Sequence, residues 1–280
     1  MGDAFGEQFF LPPAAYALAV TTHEVPPMQW LWTDDTAMAI SIVDVLERHG
    51  HIDQDALATA FADRYAAEPV RGYGGTARDI LTRIGSGESW RTVAREVLGG
   101  EGSCGNGSAM RVAPVGAWFA DNLDEAARQA ALSAAPTHAH PEGTAGAIAI
   151  AVAAAVAWQM GHGLLATDAN EFVRLVLLHT PAGETRSRIE VAASLPSTTT
   201  IGAAVKRLGN GSRILCQDTV PLCVWCAAHH LSDFQEAMWT MVSAGGDMDT
   251  TCAIVGGIVA LYVGLDGIPS SWRMAREPLP

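Results

Sequence analysis

Two short acidic clusters hold the side chains of this 280-residue chain with the clearest chemical potential. They lie at residues 32–36 (WTDDT) and 245–251 (GGDMDTT), and their carboxylates belong to Asp34, Asp35, Asp247 and Asp249. Each cluster directly precedes an apolar stretch with helical spacing, so helix capping can explain one Asp or Thr in each. Neighbouring carboxylates repel each other, however, and a cation relieves that repulsion. Oxygen ligands without His or Cys favour Mg²⁺, Mn²⁺ or Ca²⁺ over zinc, so the clusters predict a site for a pair of such ions.

A glycine-rich loop at residues 99–111 (GGEGSCGNGSAMR) is the next unusual feature. Five glycines in nine residues allow its backbone to approach a ligand closely, and the helical pattern that follows would point free N–H groups at an anion. It is neither a P-loop nor a Rossmann fingerprint, because it has no Gly-Lys-Ser/Thr and no preceding strand. A flexible surface loop is the alternative. A shorter loop at residues 71–76 contains Tyr73, whose ring could stack on a base or ribose or simply pack in the core.

The histidines and cysteines give weaker signals. His138 precedes an alanine-rich stretch, where a histidine can be a cap, a core residue or a ligand contact. The chain has five cysteines, and the pair Cys223 and Cys226 lies in an apolar stretch without a matching second pair of ligands. We interpret these cysteines as packed core thiols rather than as disulfides or a zinc site.

The elements that must position these residues are predicted to be helices. Apolar residues recur at helical spacing, glycines and prolines fall in the connections, and no series of alternating strands occurs. The pattern predicts one all-α domain over residues 1–280, with an apolar central helix around residues 145–158. The predicted helices are 36–48, 54–67, 76–84, 89–98, 107–119, 123–134, 143–160, 170–179, 184–195, 219–230, 232–243 and 250–263.

Composition excludes several classes of protein. Hydrophobic residues make up 49% and charged residues 17%, which excludes disorder over the whole chain. A net charge of −13 argues against general nucleic-acid binding and against docking on an anionic membrane. We expect a cytoplasmic monomer, because no signal peptide, transmembrane-length apolar run or interface stripe is evident. The chain begins abruptly at Met1 with what resembles the end of an element, so a preceding helix in the natural protein is one interpretation.

The order of these motifs resembles the ADP-ribosylglycohydrolase family, which includes ADP-ribosylarginine hydrolases and dinitrogenase-reductase-activating glycohydrolases. The matching segments are residues 2–6 (GDAFG), 33–36 (TDDT), 71–74 (RGYG), 105–111 (GNGSAMR), 137–138 followed by Gly143, and 246–251 (GDMDTT). They extend over nearly the whole chain, and the two acidic motifs together with GNGSAMR are highly specific. The resemblance implies an all-α orthogonal helical bundle with two Mg²⁺ ions in a cleft, which Mn²⁺ can replace.

The resemblance also implies roles for individual residues. It assigns the metal ions to Thr33, Asp34, Asp35, Asp247, Asp249 and Thr250. It assigns contacts with the ADP-ribose part of the substrate to Gly72, Tyr73, Gly102, Ser103, Cys104, Gly105, Asn106, Gly107, Ser108 and His138.

The implied reaction is metal-assisted hydrolysis of the C1″ glycosidic bond, which releases ADP-ribose from a modified protein, nucleobase or small molecule. Asp34 or Asp35 would activate water or assist protonation of the leaving group. Glu7 is a further candidate, because some family members carry a glutamate after this first motif, although Phe9 and Phe10 occupy the positions where others place the acid.

Two alternatives stay open. One is a non-catalytic ADP-ribose-binding protein on the same fold. The other is an α-helical Mg²⁺-dependent isoprenoid synthase, which also pairs two acidic motifs across a helical cavity. Such an enzyme needs a further aspartate on the same helix face after Asp35, and this chain lacks it.

Overall fold

The computed structural model describes residues 1–25 and 29–280, and this part of the chain is built from α-helices joined by short turns. It contains no β-strand, only two isolated bridges. The predicted all-α fold is therefore confirmed. The helices are α1 Gly2–Gly6, α2 Pro13–Thr22, α3 Asp34–His49, α4 Gln54–Ala67, α5 Gly75–Gly85, α6 Trp90–Glu96, α7 Ala113–Trp118, α8 Leu123–Ala134, α9 Pro141–Gly161, α10 Ala169–His179, α11 Glu184–Ala193, α12 Ile201–Leu208, α13 Cys216–His230, α14 Phe234–Ala244, α15 Met248–Val263 and α16 Ser270–Ala275.

One helix predicted from periodicity is wrong. Residues 107–119 do not form one helix, but a 3₁₀ turn at Asn106–Ser108 followed by the short helix α7. Pro114 lies in the first turn of α7, where a missing N–H is tolerated. Proline inside a helix removes a hydrogen bond and clashes with the preceding turn, so α7 begins near Pro114 instead of continuing from the glycine-rich loop.

Helix α9 forms the centre of the fold. It packs against α7, α8, α10, α13 and α15, and its alanines and valines from Ala149 to Ala157 are buried. By length and composition it could cross a membrane, which the shorter predicted run could not, yet 83% of its most apolar window is buried within the protein. The many small side chains explain how neighbouring helices contact it on every face.

Two glycines seat the short helix α1 directly on α15. A Cβ at Gly2 would overlap the backbone carbonyl of Cys252, and a Cβ at Gly6 would overlap that of Met248. Only glycine allows this close approach. The first turn of α15, which carries the second acidic cluster, is thereby held against the chain's first residues.

Four of the five cysteines are buried, and all five are free. This agrees with the prediction of core thiols.

Two cavities lie on either side of α3. The larger, of 600 Å³, has mostly apolar walls from α3, α7 and α15 and is bordered by Met1 and Pro280. The smaller, of 380 Å³, contains both acidic clusters and the glycine-rich loop. Its chemistry, not its size, makes it the candidate site.

Candidate active site

The 380 Å³ cavity brings together most of the residues predicted from sequence. A volume of this size fits a small-molecule site. Predicted residues that line the cavity are Asp34, Asp35, Gly72, Ser103, Gly105, Asn106, Gly107, His138, Asp247, Asp249 and Thr250. They come from the starts of α3 and α15, from the loops before α5 and α7 and, for His138, from the loop between α8 and α9.

The first acidic cluster opens helix α3. Thr33 is its N-cap and accepts a hydrogen bond from the backbone N–H of Asp35, while the N–H of Asp34 donates to the carbonyl of Arg71. This second bond fixes the loop that contains Gly72. The φ of Gly72 is +92°, and a Cβ there would lie 3.3 Å from Oδ1 of Asp34. A glycine at this position therefore leaves the Asp34 carboxylate open to the cavity.

Asp3, which sequence analysis did not single out, organises this cluster from behind. Its buried carboxylate accepts hydrogen bonds from the backbone N–H and the hydroxyl of both Thr33 and Thr36, at 2.5–3.1 Å. Helix α1 carries Asp3 into this position because its two glycines allow it to rest on α15. The only sequence signal for Asp3 was its place in the GDAFG motif.

The second acidic cluster opens helix α15 and is tied to the glycine-rich loop. The Asn106 side-chain amide donates to Oδ2 of Asp247 at 2.7 Å and to Oγ1 of Thr219 at 3.1 Å. The N–H of Asp247 donates to the carbonyl of Asn210. Asn106 is 2% exposed and lines the cavity. Its hydrogen bonds connect the glycine-rich loop to the second acidic cluster.

Burial and mutual repulsion raise the pKa of the cluster carboxylates. Burial is the main cause throughout. The charge of Asp3 adds to it and brings the pKa of Asp34 to about 7, and the charge of Asp247 helps to bring the pKa of Asp249 to about 8. The pKa of fully buried Asp35 lies well above its ordinary value, with Asp249 the strongest charged contributor. The charge of Arg111, which also lines the cavity, acts in the opposite direction on the pKa of Asp34 but does not outweigh burial and repulsion.

Two buried carboxylate oxygens without a hydrogen-bond partner indicate what kind of ligand would balance the charge of these acids. Oδ1 of Asp35 and Oδ1 of Asp249 are buried without a hydrogen-bond partner among the described residues. A buried polar atom without a partner is costly, and divalent cations of the Mg²⁺ class prefer such oxygen ligands. No three Asp, Glu, His or Cys side chains in residues 1–25 and 29–280 converge tightly enough to hold an ion as they stand. The donor types and the orphaned atoms fit a cation, with the carboxylates turning to meet it.

The predicted metal ligand Thr33 does not line the cavity. Its hydroxyl lies 2.9 Å from Oδ1 of Asp3 and 3.0 Å from Oδ2 of Asp35. A hydroxyl has one proton and can donate to only one of them, so the second contact requires a proton on one of the two carboxyl groups. The raised pKa of Asp35 agrees with this arrangement. Thr33 therefore acts as a helix cap and as a bridge between two carboxyl groups in this structure, and its role as a metal ligand stays a prediction.

Several predicted substrate contacts face away from the cavity. Tyr73 is 1% exposed and packs edge-on against Tyr65 at 5.0 Å, so its ring cannot stack on a ligand. The Ser108 hydroxyl donates to the carbonyl of Gly143. Gly102 and Cys104 lie outside the cavity wall, and a Cβ at Gly102 would collide with the Ala139 side chain. Loop composition identified a segment that lines the cavity, but not which of its side chains face inward.

Glu7 also lies outside the cavity wall, contrary to its predicted catalytic position. It is half-buried in a 3₁₀ turn after α1. Burial and the charge of Asp3 raise its pKa, and its own charge contributes to the raised pKa of Asp249. Glu7 therefore influences the second acidic cluster from the edge of the site.

The mouth of the cavity is formed by two apolar residues that sequence analysis missed. Leu98 and Ile214 line the cavity, are 57% and 62% exposed, and both have left-handed backbone φ, at +55° and +57°. A β-branched residue in this region is strained. Backbone strain persists where the surroundings enforce it, often at ligand sites. Their positive φ values leave no local pattern in the sequence.

The family model for ADP-ribosylglycohydrolase matches residues 1–278. ADP-ribosylhydrolase ARH3 of Homo sapiens is 31% identical over 274 residues, covering 88% of this chain and 74% of the human protein. The Bos taurus ARH3 is 32% identical with the same coverage. A solved structure titled ADP-ribosylglycohydrolase-related protein complex covers 99% of this chain and 88% of its own, with a TM-score of 0.65 and 22% identity, which indicates a shared fold.

Proposed function

Because the chain belongs to the ADP-ribosylglycohydrolase family, we propose that it is a divalent-cation-dependent hydrolase that cleaves the C1″ glycosidic bond of an ADP-ribosylated acceptor and releases ADP-ribose. The ADP-ribosylhydrolase relatives support this substrate class. Family membership removes the basis for an isoprenoid synthase. The acceptor, whether a protein side chain, a nucleobase or a metabolite, is the part of the substrate to be identified.

The observation that carries this proposal is the meeting of two acidic helix starts in one cavity. Asp34 and Asp35 approach from α3, and Asp247 and Asp249 approach from α15. A protein that only bound ADP-ribose would gain nothing from four crowded carboxylates, because their burial and repulsion destabilise the fold. This cost is expected where the carboxylates serve chemistry.

The residues suited to hold Mg²⁺ or Mn²⁺ are Asp34, Asp35, Asp247, Asp249 and Thr250. When bound, such ions would orient the distal ribose hydroxyls and neutralise oxygen charge as an oxocarbenium-like state develops. Asp3 and Asn106 would keep the carboxylates oriented, through Thr33 and Thr36 on one side and through Asp247 on the other.

Asp34 is the strongest candidate for proton transfer. Its carboxylate lines the cavity, and the glycine at position 72 leaves it open to a water molecule there. It would accept a proton from the attacking water at its open carboxylate. Asp35 is fully buried beside it, with a pKa that burial raises well above its ordinary value, and would support the arrangement.

The remaining walls suit the ADP half of the substrate. Gly105 and Gly107 allow a diphosphate to approach the loop backbone closely, and His138 lies beside them. Met38, Ile80, Leu98 and Ile214 give the cavity an apolar side, which suits the face of an adenine ring.

A release assay across defined acceptors tests the proposal. The purified protein with Mg²⁺ would be incubated with arginine-, serine- and guanosine-linked ADP-ribose, and free ADP-ribose would be quantified by mass spectrometry. Release from at least one substrate is expected. Tight binding of ADP-ribose in calorimetry without release from any of them would favour the binding-protein alternative.

A further inference from the structure

Three buried side chains form a hydrogen-bonded relay that ends in the cavity. Nη2 of Arg111 donates to Oγ1 of Thr137 at 2.8 Å, and this oxygen lies 2.7 Å from Nδ1 of His138. The three residues are 1%, 2% and 8% exposed, and all of them line the cavity. Thr137 and His138 lie between α8 and α9, and Arg111 lies just before α7.

The chemistry of the partners fixes the order of the protons. Arginine can only donate, so Thr137 accepts from Arg111. The Thr137 hydroxyl must place its own proton on one of two neighbours, the Ala134 carbonyl at 3.5 Å or the imidazole at 2.7 Å. The Ala134 carbonyl already accepts the backbone N–H of Thr137 and of His138, at 3.1 and 2.9 Å, which occupies both lone pairs. The hydroxyl therefore donates to Nδ1 of His138.

The opposite ring nitrogen then carries the hydrogen. No described residue forms a hydrogen bond with Nε2 of His138. Nε2 faces the glycine-rich loop, where a Cβ on Gly105 would lie 3.6 Å from it and a Cβ on Gly107 3.4 Å. The glycines thus leave room for a ligand atom beside this nitrogen. Burial and the Arg111 charge lower the pKa of His138 to about 3, which keeps the ring neutral.

We propose that Arg111 and Thr137 are positioning residues that hold His138 as the Nε2–H tautomer, so that the imidazole donates a hydrogen bond to a ligand oxygen at the glycine-rich loop. A phosphate oxygen of a nucleoside diphosphate is the matching acceptor, because it cannot itself donate. This binding role rests on the proposed function, since ADP-ribose supplies the diphosphate. The tautomer itself is a property of the free protein.

The tautomer is measured directly by two-dimensional ¹H–¹⁵N NMR of the histidine-labelled protein without ligand. His138→Gln identifies the His138 signals by their loss. We expect an unprotonated Nδ1 and a protonated Nε2. A protonated Nδ1 in the free wild-type protein would overturn the relay without any reference to activity.

Variants of Thr137 connect the tautomer to binding. Thr137→Val removes the hydroxyl, so a mixture of tautomers and an ADP affinity about tenfold weaker by calorimetry are expected, whereas Thr137→Ser should retain both wild-type properties. Thr180→Val is the matched control, because Thr180 is equally buried but its hydroxyl donates to Val176 in α10, and it should change neither property. Unchanged tautomer and ADP affinity in Thr137→Val would refute the positioning role.

The hydrolase proposal and the tautomer proposal can be rejected independently of each other. A fixed Nε2–H tautomer together with normal ADP binding, but no release of ADP-ribose from any acceptor, would reject the hydrolase and support the relay. If Thr137→Val does not fold, the wild-type spectrum still decides the tautomer, and Thr137→Ala, which also lacks the hydroxyl, decides its dependence on that group.

Discussion

Asp35 and Asp249 begin different helices, yet each turns a carboxylate into the same cavity and leaves one buried oxygen without a partner among the described residues. Asp249 is also the strongest charged contributor to the raised pKa of Asp35. Such a pair costs stability in the absence of a cation. The cation-free protein and the cation-bound protein should therefore differ in ways that can be measured.

The stabilising effect of Mg²⁺ should grow with pH. The pKa values of Asp34 and Asp249, about 7 and 8, are raised from an ordinary 3.8, so the folded state binds more protons than the unfolded state between these values. Stability of the cation-free protein then falls as pH rises through this window. Mg²⁺ binds the ionised acids, so its increase of the melting temperature should be larger near about pH 8.5 than near about pH 5.

Matched KCl controls for ionic strength in this experiment. Asp34→Asn combined with Asp249→Asn should reduce the dependence of the Mg²⁺ effect on pH, because only Asp35 and Asp247 then retain a raised pKa in the clusters. An equal Mg²⁺ effect at both pH values in the wild-type protein would mean that these acids are not the cation site.

Asp3→Asn should lower both the stability of the fold and the rate of turnover. The amide can accept at only one of its two positions, so donors from Thr33 or Thr36 lose their partner, at a cost of about 1–3 kcal/mol in the free energy of unfolding. Turnover should fall at least about tenfold because the Asp34–Asp35 turn loses its support. Denaturant unfolding and the release assay measure both effects.

Asp53→Asn is the control for that substitution. Asp53 caps α4 outside the site by accepting from the N–H groups of Asp55 and Ala56, and Asn is an equally good cap. The free energy of unfolding of the Asp53→Asn variant should change by less than about 0.5 kcal/mol, and its turnover should not change. Wild-type turnover in Asp3→Asn would mean that Asp3 does not position the carboxylates for catalysis.

Asp249→Asn should move stability and activity in opposite directions. It keeps the shape of the side chain but removes a buried charge, so the cation-free protein should become more stable near about pH 8. Turnover should fall at least about a hundredfold, because the neutral amide holds a cation more weakly than the carboxylate does. Asp266→Asn, at an exposed position, should alter neither property, and a loss of stability in Asp249→Asn would contradict this view of the cluster.

Ile214→Asn should stabilise the protein and weaken ligand binding. Asn tolerates a φ of +57° far better than isoleucine does, which should add about 1 kcal/mol to the free energy of unfolding. Loss of the apolar side chain at the cavity mouth should weaken ADP-ribose binding about three- to tenfold in calorimetry. Leu164→Asn, also exposed but with ordinary φ, should produce neither effect. Undiminished ADP-ribose affinity in Ile214→Asn would mean that the Ile214 side chain does not contact the adenine ring.

Features encoded by neighbouring residues could be predicted from the sequence. The bounds of α4 and α8 match the prediction because capping residues, Asp53 and Asn122, mark their starts. The acidic clusters were recognisable because their carboxylates are adjacent in the chain. The helix predicted at residues 107–119 was wrong because Pro114 disfavours a continuous helix, even though the apolar residues around it have helical spacing.

Features that depend on distant packing could not be predicted. The role of Asp3 exists only because α1 rests on α15, and the relay of Arg111 and Thr137 exists only because α8 brings Thr137 beside the glycine-rich loop. The direction of the Tyr73 ring is decided by its contact with Tyr65 on α4. Composition identifies such loops but does not determine which of their side chains face a ligand.

Cation-dependent release of ADP-ribose is the most direct test of the proposed function. The purified protein would be treated exhaustively with EDTA, freed of chelator and assayed on its best ADP-ribosylated substrate before and after Mg²⁺ is restored. We predict that release stops without the cation and returns with Mg²⁺ or Mn²⁺, because the four carboxylates need a cation to hold the distal ribose. Full release after exhaustive EDTA treatment, with no response to Mg²⁺, would contradict it.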